Sequence, residues 1–92
     1  MADLSDAFVA LPGGWGTLEE LAEILTWKQL GLITQPVGIL NTAGFFDPLL
    51  NQFDTMVDLG FLAAANREKL IVHKEPDKLI EALQKSSEEI AR

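Results

Sequence analysis

Short runs of consecutive apolar residues alternate along this chain with longer stretches in which apolar residues recur every three or four positions. Ala7-Phe8-Val9-Ala10-Leu11 is a run of the first kind, ended by Pro12-Gly13-Gly14, and predicts a buried strand followed by a turn. From Thr17 to Leu30 the spacing predicts a helix, with Gly31 as its stop. Val37-Gly38-Ile39-Leu40, preceded by Pro36, predicts a second strand. Asp47 and Pro48 read as the N-cap and first position of a second helix. Its apolar positions are Leu49, Leu50, Phe53, Met56 and Val57, and Gly60 closes it. The stretch Phe61 to Lys69 gives no single answer, although Ala63-Ala64-Ala65 allows a helical turn. Leu70-Ile71-Val72 predicts a third strand, and Pro76 opens a last helix with Leu79, Ile80, Leu83 and Ile90 as its stripe.

The predicted order is βαβαβα. Continuous apolar strands alternating with helices belong to the α/β class, with three parallel strands and helices packed on the sheet. Three strands make a small parallel sheet, so the chain is expected to be part of a larger doubly wound sheet or to complete itself by assembly. Its 92 residues allow one small domain.

The first helix carries more apolar surface than one sheet contact needs. Leu18, Leu21, Ala22 and Leu25 share one face, while Ile24, Trp27 and Leu30 fall toward the other. A second stripe implies a partner. The strand Ala7–Leu11 would also be left as an open edge, which invites another chain. Both features point to a homo-oligomer, a two-fold dimer through the Thr17–Leu30 helix.

Composition narrows the classes. Hydrophobic content is 48% and charged content 23%, as in soluble globular chains. The net charge is -7, and a chain this acidic lacks the clustered cations that nucleic acid requires. No apolar run approaches the ~18 residues of a membrane span. The acidic start, Met1 to Asp6, is unlike a secretory leader, and cysteine is absent. A cytoplasmic protein is expected. The seven basic residues are scattered, so a bound phosphate would have to be held mainly by backbone amides.

The segment Pro12-Gly13-Gly14-Trp15-Gly16-Thr17-Leu18-Glu19-Glu20 joins the first strand to the first helix. Ligands of open α/β sheets bind at such strand-to-helix corners. Glycines let a backbone approach a ligand closely, and a helix N-terminus offers unpaired amides and a positive dipole end. Together they suit an anion such as phosphate. The Gly-Lys-Ser/Thr ending of a Walker loop is missing. Thr17 and Glu20 also have the spacing of a capping box, and spacing alone leaves a cap and a phosphate site equally open.

This segment reads Pro-Gly-Gly-x-Gly-Thr-x-x-Glu. It is flanked by Asp6-Ala7-Phe8-Val9-Ala10-Leu11 and by Thr26-Trp27-Lys28-Gln29-Leu30-Gly31, with Pro36-Val37-Gly38 beyond. In this context the chain resembles, along its whole length, the C-terminal half of the LONELY GUY family of nucleotide phosphoribohydrolases. The resemblance implies a partial Rossmann-like three-layer fold in which residues 1–92 form a single domain. It implies hydrolysis of the N-glycosidic bond of nucleoside 5′-monophosphates, cytokinin ribotides among them, to free base and ribose 5-phosphate. It also implies no cofactor, and dimers with sites at the subunit interface. Carried over by motif, Gly13, Gly14, Gly16 and Thr17 would hold the phosphate. Glu20 would contact the ribose and stabilise an oxocarbenium-like transition state. The family's second signature, Met-x-x-Arg-Lys, does not occur here, where the arginines are Arg67 and Arg92. The chain alone is therefore expected to be impaired, as a truncated form of the enzyme. The alternative is a non-catalytic nucleotide-binding or oligomerisation module, or, more remotely, a structural remnant whose loop is only a turn and cap.

The remaining polar residues add little. Relatives have been labelled lysine decarboxylases, but pyridoxal phosphate chemistry needs a lysine poised for a Schiff base. Lys28, Lys69, Lys74, Lys78 and Lys85 all read as solvated surface. His73 ends the third strand with no second histidine to form a metal site. Asp47, Asp54 and Asp58 read as the polar face of their helix, and Glu19, Glu88 and Glu89 as surface. Trp15 fills the variable motif position and fits either stacking on a base or a wall against another subunit.

Overall fold

The computed structural model describes residues 2–4 and 7–91, with side chains for 7–89. Strands β1 (Ala2–Leu4), β2 (Ala7–Ala10), β3 (Val37–Leu40) and β4 (Leu70–His73) form one sheet in the order β1-β2-β3-β4. Helices α1 (Trp15–Gln29), α2 (Asp47–Asp58), α3 (Ala64–Glu68) and α4 (Pro76–Ala91) connect and follow them. The predicted α/β class and the three parallel strands are present: β2 pairs with β3 and β3 with β4, all parallel. Phe8 aligns with Val37, and Val37 with Leu70.

The apolar runs are continuous because both sheet faces are covered. On one side Ala10, Val37, Ile39 and Leu70 pack with Leu21 and Ile24 of α1 and with Phe46 and Leu50 at the start of α2. On the other, Ala7 and Val9 pack with Leu79 and Leu83 of α4, joined by Leu40 and Ile71. Alternate residues of one strand thus serve two cores, which yields three layers. Gly38 lies beneath α4, where a Cβ would come within 2.9 Å of a Leu79 methyl. Its lack of a side chain lets the helix sit close to the sheet.

Several expectations need correction. The edge of β2 is not open: β1 pairs with it antiparallel, Ala2 opposite Val9 and Leu4 opposite Ala7. β2 therefore offers no exposed edge for assembly with another chain. Ile24 is only 9% exposed and belongs to the main core beside Leu21, so it is not part of an outer stripe. Leu18, assigned to the inner face, is instead exposed. The inner face of α1 is rotated from the expected one toward Leu21, Ile24 and Leu25. On α4, Leu79 and Leu83 are buried but Ile80 is 44% exposed, while the side chain of Ile90 lies outside the described residues. The ambiguous stretch after Gly60 contains α3.

Both glycine stops are real. Gly31 has φ +75° and Gly60 φ +85°. After α1, the Leu32 amide donates to the Trp27 carbonyl (2.9 Å) and the Gly31 amide to Lys28 (3.1 Å). After α2, the Phe61 amide donates to Met56 (2.8 Å) and the Gly60 amide to Val57 (3.1 Å). Each is a Schellman ending, which uses a left-handed residue to satisfy the last helical carbonyls. Gly31→Ala and Gly60→Ala should each destabilise the fold by about 1–2 kcal/mol, the cost of a Cβ in the left-handed region. Urea denaturation followed by circular dichroism measures this; an unchanged midpoint in both variants would contradict the assignment.

Candidate functional site

The carboxyl ends of β2 and β3 lie side by side, and the chain leaves each through a tight connection. From β2 it passes through Pro12, Gly13 and Gly14 directly into α1. The helix begins at Trp15, two residues earlier than expected, with Gly14 at the N-cap and no side-chain hydrogen bond capping it. Thr17 is therefore inside the first turn, and the Thr17–Glu20 capping box, one of the two readings that the spacing leaves open, is not the cap of this helix. The Leu18 amide reaches back to the Gly14 carbonyl at 3.3 Å. The amides of Trp15, Gly16 and Thr17 precede it, where a helix supplies no acceptor of its own.

The glycines of this loop have different reasons for being glycine. A Cβ on Gly13 would run into the Thr17 hydroxyl, so a side chain is excluded by the turn itself. Gly14 and Gly16 would meet nothing within 4 Å, and neither adopts a positive φ. No packing contact requires glycine at those two positions. The space beside their Cα atoms is open.

From β3 the chain enters a 3-10 turn, Thr42–Gly44, with Ala43 at φ +52° and Gly44 at φ +72°. This double left-handed step is held by Asn41, a buried side chain 3% exposed. The Phe46 amide donates to Asn41 Oδ1 (2.7 Å), and Asn41 Nδ2 donates to Asp47 Oδ1 (2.8 Å). Asp47 was expected to be the N-cap of α2. It is instead the first helical residue, Phe46 takes the cap position, and the Asp47 carboxylate is occupied by Asn41. Phe46 is buried, and Phe45 lies edge-on against it with ring centroids 5.0 Å apart and planes at 84°. No sequence pattern pointed to Asn41 or Phe45. The available signal was an Asn at the end of a strand adjacent to the glycine loop, followed by Gly44 and then Asp47-Pro48.

The two connections enclose a cleft of about 490 Å³ lined by Gly13, Gly14, Trp15, Thr17, Phe45 and Gln52, among others. Gly13, Gly14 and Thr17 thus share one cleft. Gly16 is in the same first turn, and Glu20 is exposed one turn further along α1.

A second cavity, about 340 Å³, separates α1 from α2. Its walls are apolar, with Leu18, Ala22 and Leu25 facing Phe53 and Met56, and Lys28 and Lys69 also line it. Lys28, expected to be solvated surface, is half-buried, and its ammonium donates to the carbonyls of Thr34 (3.2 Å) and Gln35 (3.0 Å). Burial, and then the neighbouring charge of Lys69, push its pKa below the ordinary lysine value. It braces the link between α1 and β3. Arg67 is also placed away from the loop: its Nε donates to Asp54 Oδ1 at 2.9 Å, on the α2–α3 corner. His73 ends β4, where its carbonyl accepts the Asn41 amide (2.8 Å). Among the described residues no group of three His, Asp or Glu converges as a metal site, and no helix is long and apolar enough to cross a membrane.

Residues 1–83 match the family described as "Possible lysine decarboxylase". The chain belongs to this family. Within it, the similar proteins are LONELY GUY enzymes, in accord with the resemblance of the motif. A probable cytokinin riboside 5′-monophosphate phosphoribohydrolase of Oryza sativa subsp. japonica is 48% identical over 87 residues, 95% of this chain and 36% of that protein. An Arabidopsis thaliana cytokinin riboside 5′-monophosphate phosphoribohydrolase is 46% identical over 84 residues, 91% of this chain and 39% of its own length. A second Oryza sativa enzyme of that name is 55% identical over 71 residues, 77% of this chain and 29% of its own length. The chain thus spans well under half of each relative. The family description mentions lysine decarboxylation; the relatives' names describe glycosidic hydrolysis.

Asn41 holds the turn that carries Phe45 and Phe46 into the wall of the cleft. Asn41→Ala would leave the buried Phe46 amide without its acceptor, an unsatisfied group that costs about 1–3 kcal/mol. We expect a loss of stability in that range by chemical denaturation, with the protection of the Phe46 amide lost in hydrogen exchange. Wild-type stability and exchange in this variant would show that the bond does not hold the loop.

Proposed function

We propose that this chain forms the phosphate- and ribose-binding side of a nucleoside 5′-monophosphate phosphoribohydrolase. One observation carries the reading. The N-terminus of α1 has no side-chain cap, and two of its glycines, Gly14 and Gly16, are unexplained by packing. A phosphate seated against Gly13, Gly14, Gly16 and Thr17 would accept the open amides and lie at the positive end of the helix dipole. It would need no cationic side chain, in keeping with a net charge of -7.

The chemistry follows from that seat. With the phosphate fixed, the ribose extends from it, and Glu20 lies one helical turn from Gly16 on the same face of α1. As the bond from C1′ to the base nitrogen lengthens, positive charge develops on the ribose ring. A carboxylate beside the ring stabilises that charge. Water then bonds to C1′, a proton reaches the departing base, and ribose 5-phosphate and free base result.

The 92 residues contain no Met-x-x-Arg-Lys signature, and Arg67, paired with Asp54, stands away from the cleft. A phosphate and a carboxylate brought together without a cation repel. This favours, as a second reading, a module that binds nucleotide without hydrolysing it. The assay that separates the two is incubation of the purified chain with AMP and with a cytokinin ribotide, scored for free base. We expect turnover reduced by ~100–1000-fold or more relative to a complete enzyme, the effect of losing one preorganised electrostatic group. Robust turnover by the 92-residue chain, abolished by Glu20→Ala, would refute the expected impairment.

We further infer a two-fold dimer in which α1 packs across the axis. The outer face of α1 retains Trp27, 38% exposed, and Leu30, 66% exposed, and the apolar groove between α1 and α2 adjoins it. Burying large apolar side chains contributes ~1.5–3 kcal/mol each. Trp27→Glu should convert the dimer to monomer in sedimentation at micromolar concentration. A wild-type chain that sediments as a monomer, with Trp27 freely quenched in fluorescence, would contradict this.

A further inference from the structure

The groove between α1 and α2 takes no part in the chemistry of the glycine loop. Its volume is about 340 Å³, and pockets that hold small ligands run from roughly 300 to 1,000 Å³. It follows α1 from Leu18 in the first turn to Lys28 in the last. A helix rises about 1.5 Å per residue, so that run is roughly 15 Å long. Leu25 of α1 and Phe53 and Met56 of α2 give it apolar walls.

Polarity gathers at one end. Where α1 stops, Lys28, Arg67 and Lys69 line the groove, and no Asp or Glu lines it among the described residues. The chain carries 14 Asp and Glu against 7 Lys and Arg, so a wall with cations and no carboxylate departs from the rest of the surface. This end lies at the amino ends of β3 and β4, where Val37 and Leu70 border the groove. The glycine loop lies at the opposite end of the sheet.

Two of the three cations are committed. Arg67 is paired with Asp54, and Lys28 donates to the carbonyls of Thr34 and Gln35. Lys69 has no ion-pair partner among the described residues. Burial, and then the charge of Lys69, hold the Lys28 pKa below the ordinary lysine value, so the two ammonium groups repel. An anion beside Lys69 would relieve that repulsion. Gln29 and Asn66 border the same end and carry amide donors.

We propose that the groove binds a free medium-chain fatty acid, its alkyl chain between Leu25 and Phe53 and its carboxylate on Lys69. The narrow apolar walls admit a single chain, and the uncommitted ammonium at their end matches a single anionic group. A lipid bilayer is a poorer match, because a net charge of -7 is repelled by an anionic membrane surface.

Calorimetric titration of the 92-residue chain with octanoate, decanoate and octanol tests this. Decanoate should bind roughly tenfold more tightly than octanoate, the effect of burying two further methylenes. Octanol, which has the same chain length as octanoate and no charge, should bind less tightly than octanoate. Lys69→Glu, at an exposed position, should weaken both carboxylates roughly tenfold and leave octanol unchanged. Ala22→Phe, at an exposed position on the groove wall, fills the space and should abolish binding of all three with the circular dichroism spectrum unchanged. If octanol binds as tightly as octanoate, or if Lys69→Glu leaves the carboxylates unaffected, the cationic end plays no part and the proposal is wrong. If decanoate binds only to the Trp27→Glu monomer, a second copy of the chain covers the groove and the proposal is overturned. Absence of binding at millimolar decanoate overturns it as well.

Discussion

Burial of β2, β3 and β4 on both faces is the constraint from which the rest of the molecule follows. A strand between α1 and α2 on one side and α4 on the other must be apolar at every position, and the residues of β3 are buried in succession from Val37 to Ile39. Parallel strands enclosed in this way must be joined by helices that cross back over the sheet. Every strand-to-helix connection then emerges at the same end. The loop after β2 and the loop after β3 are neighbours for that reason, and the cleft between them is a consequence of the topology.

At that end the helix termini create a demand for acceptors. The two connections meet it differently. After β3, the protein supplies its own: Asn41 takes the Phe46 amide and holds Asp47. After β2 it supplies none, since Gly14 caps α1 without a side chain and the glycines keep the approach open. One helix end is thus satisfied internally and its neighbour is left without a side-chain cap. The same contrast distinguishes Lys28 from a binding cation, because its ammonium is committed to the carbonyls of Thr34 and Gln35.

Much of this was legible in the sequence. The strands at Val37–Leu40 and Leu70, the helices, and both glycine stops follow from periodicity and from the left-handed conformation that glycine permits. What was not legible depends on contacts distant in sequence or on geometry without a residue signature. β1 has three residues and includes Asp3, so it forms no apolar run, and it is recognisable only by its pairing with β2. The start of α1 was placed at Thr17 because Thr and Glu favour caps, whereas a Gly cap followed by Trp leaves no such mark. Ile24 was assigned to the wrong face because an ideal helix projection does not know which azimuth the sheet contacts. The proposed site residues Gly13, Gly14, Gly16, Thr17 and Glu20 come from the motif, while Asn41 and Phe45 are brought near the glycine loop only by the three-dimensional meeting of two connections.

We propose that the open amides at the start of α1 form an anion seat. Backbone amide resonances of a ¹⁵N-labelled chain, followed while ribose 5-phosphate is added, test it most directly. The account predicts saturable shifts at Gly13, Gly14, Trp15, Gly16 and Thr17, with the amides of α4, on the opposite face of the sheet, unmoved. Saturable binding with shifts elsewhere and none in this loop, or no binding at millimolar ligand, would contradict it.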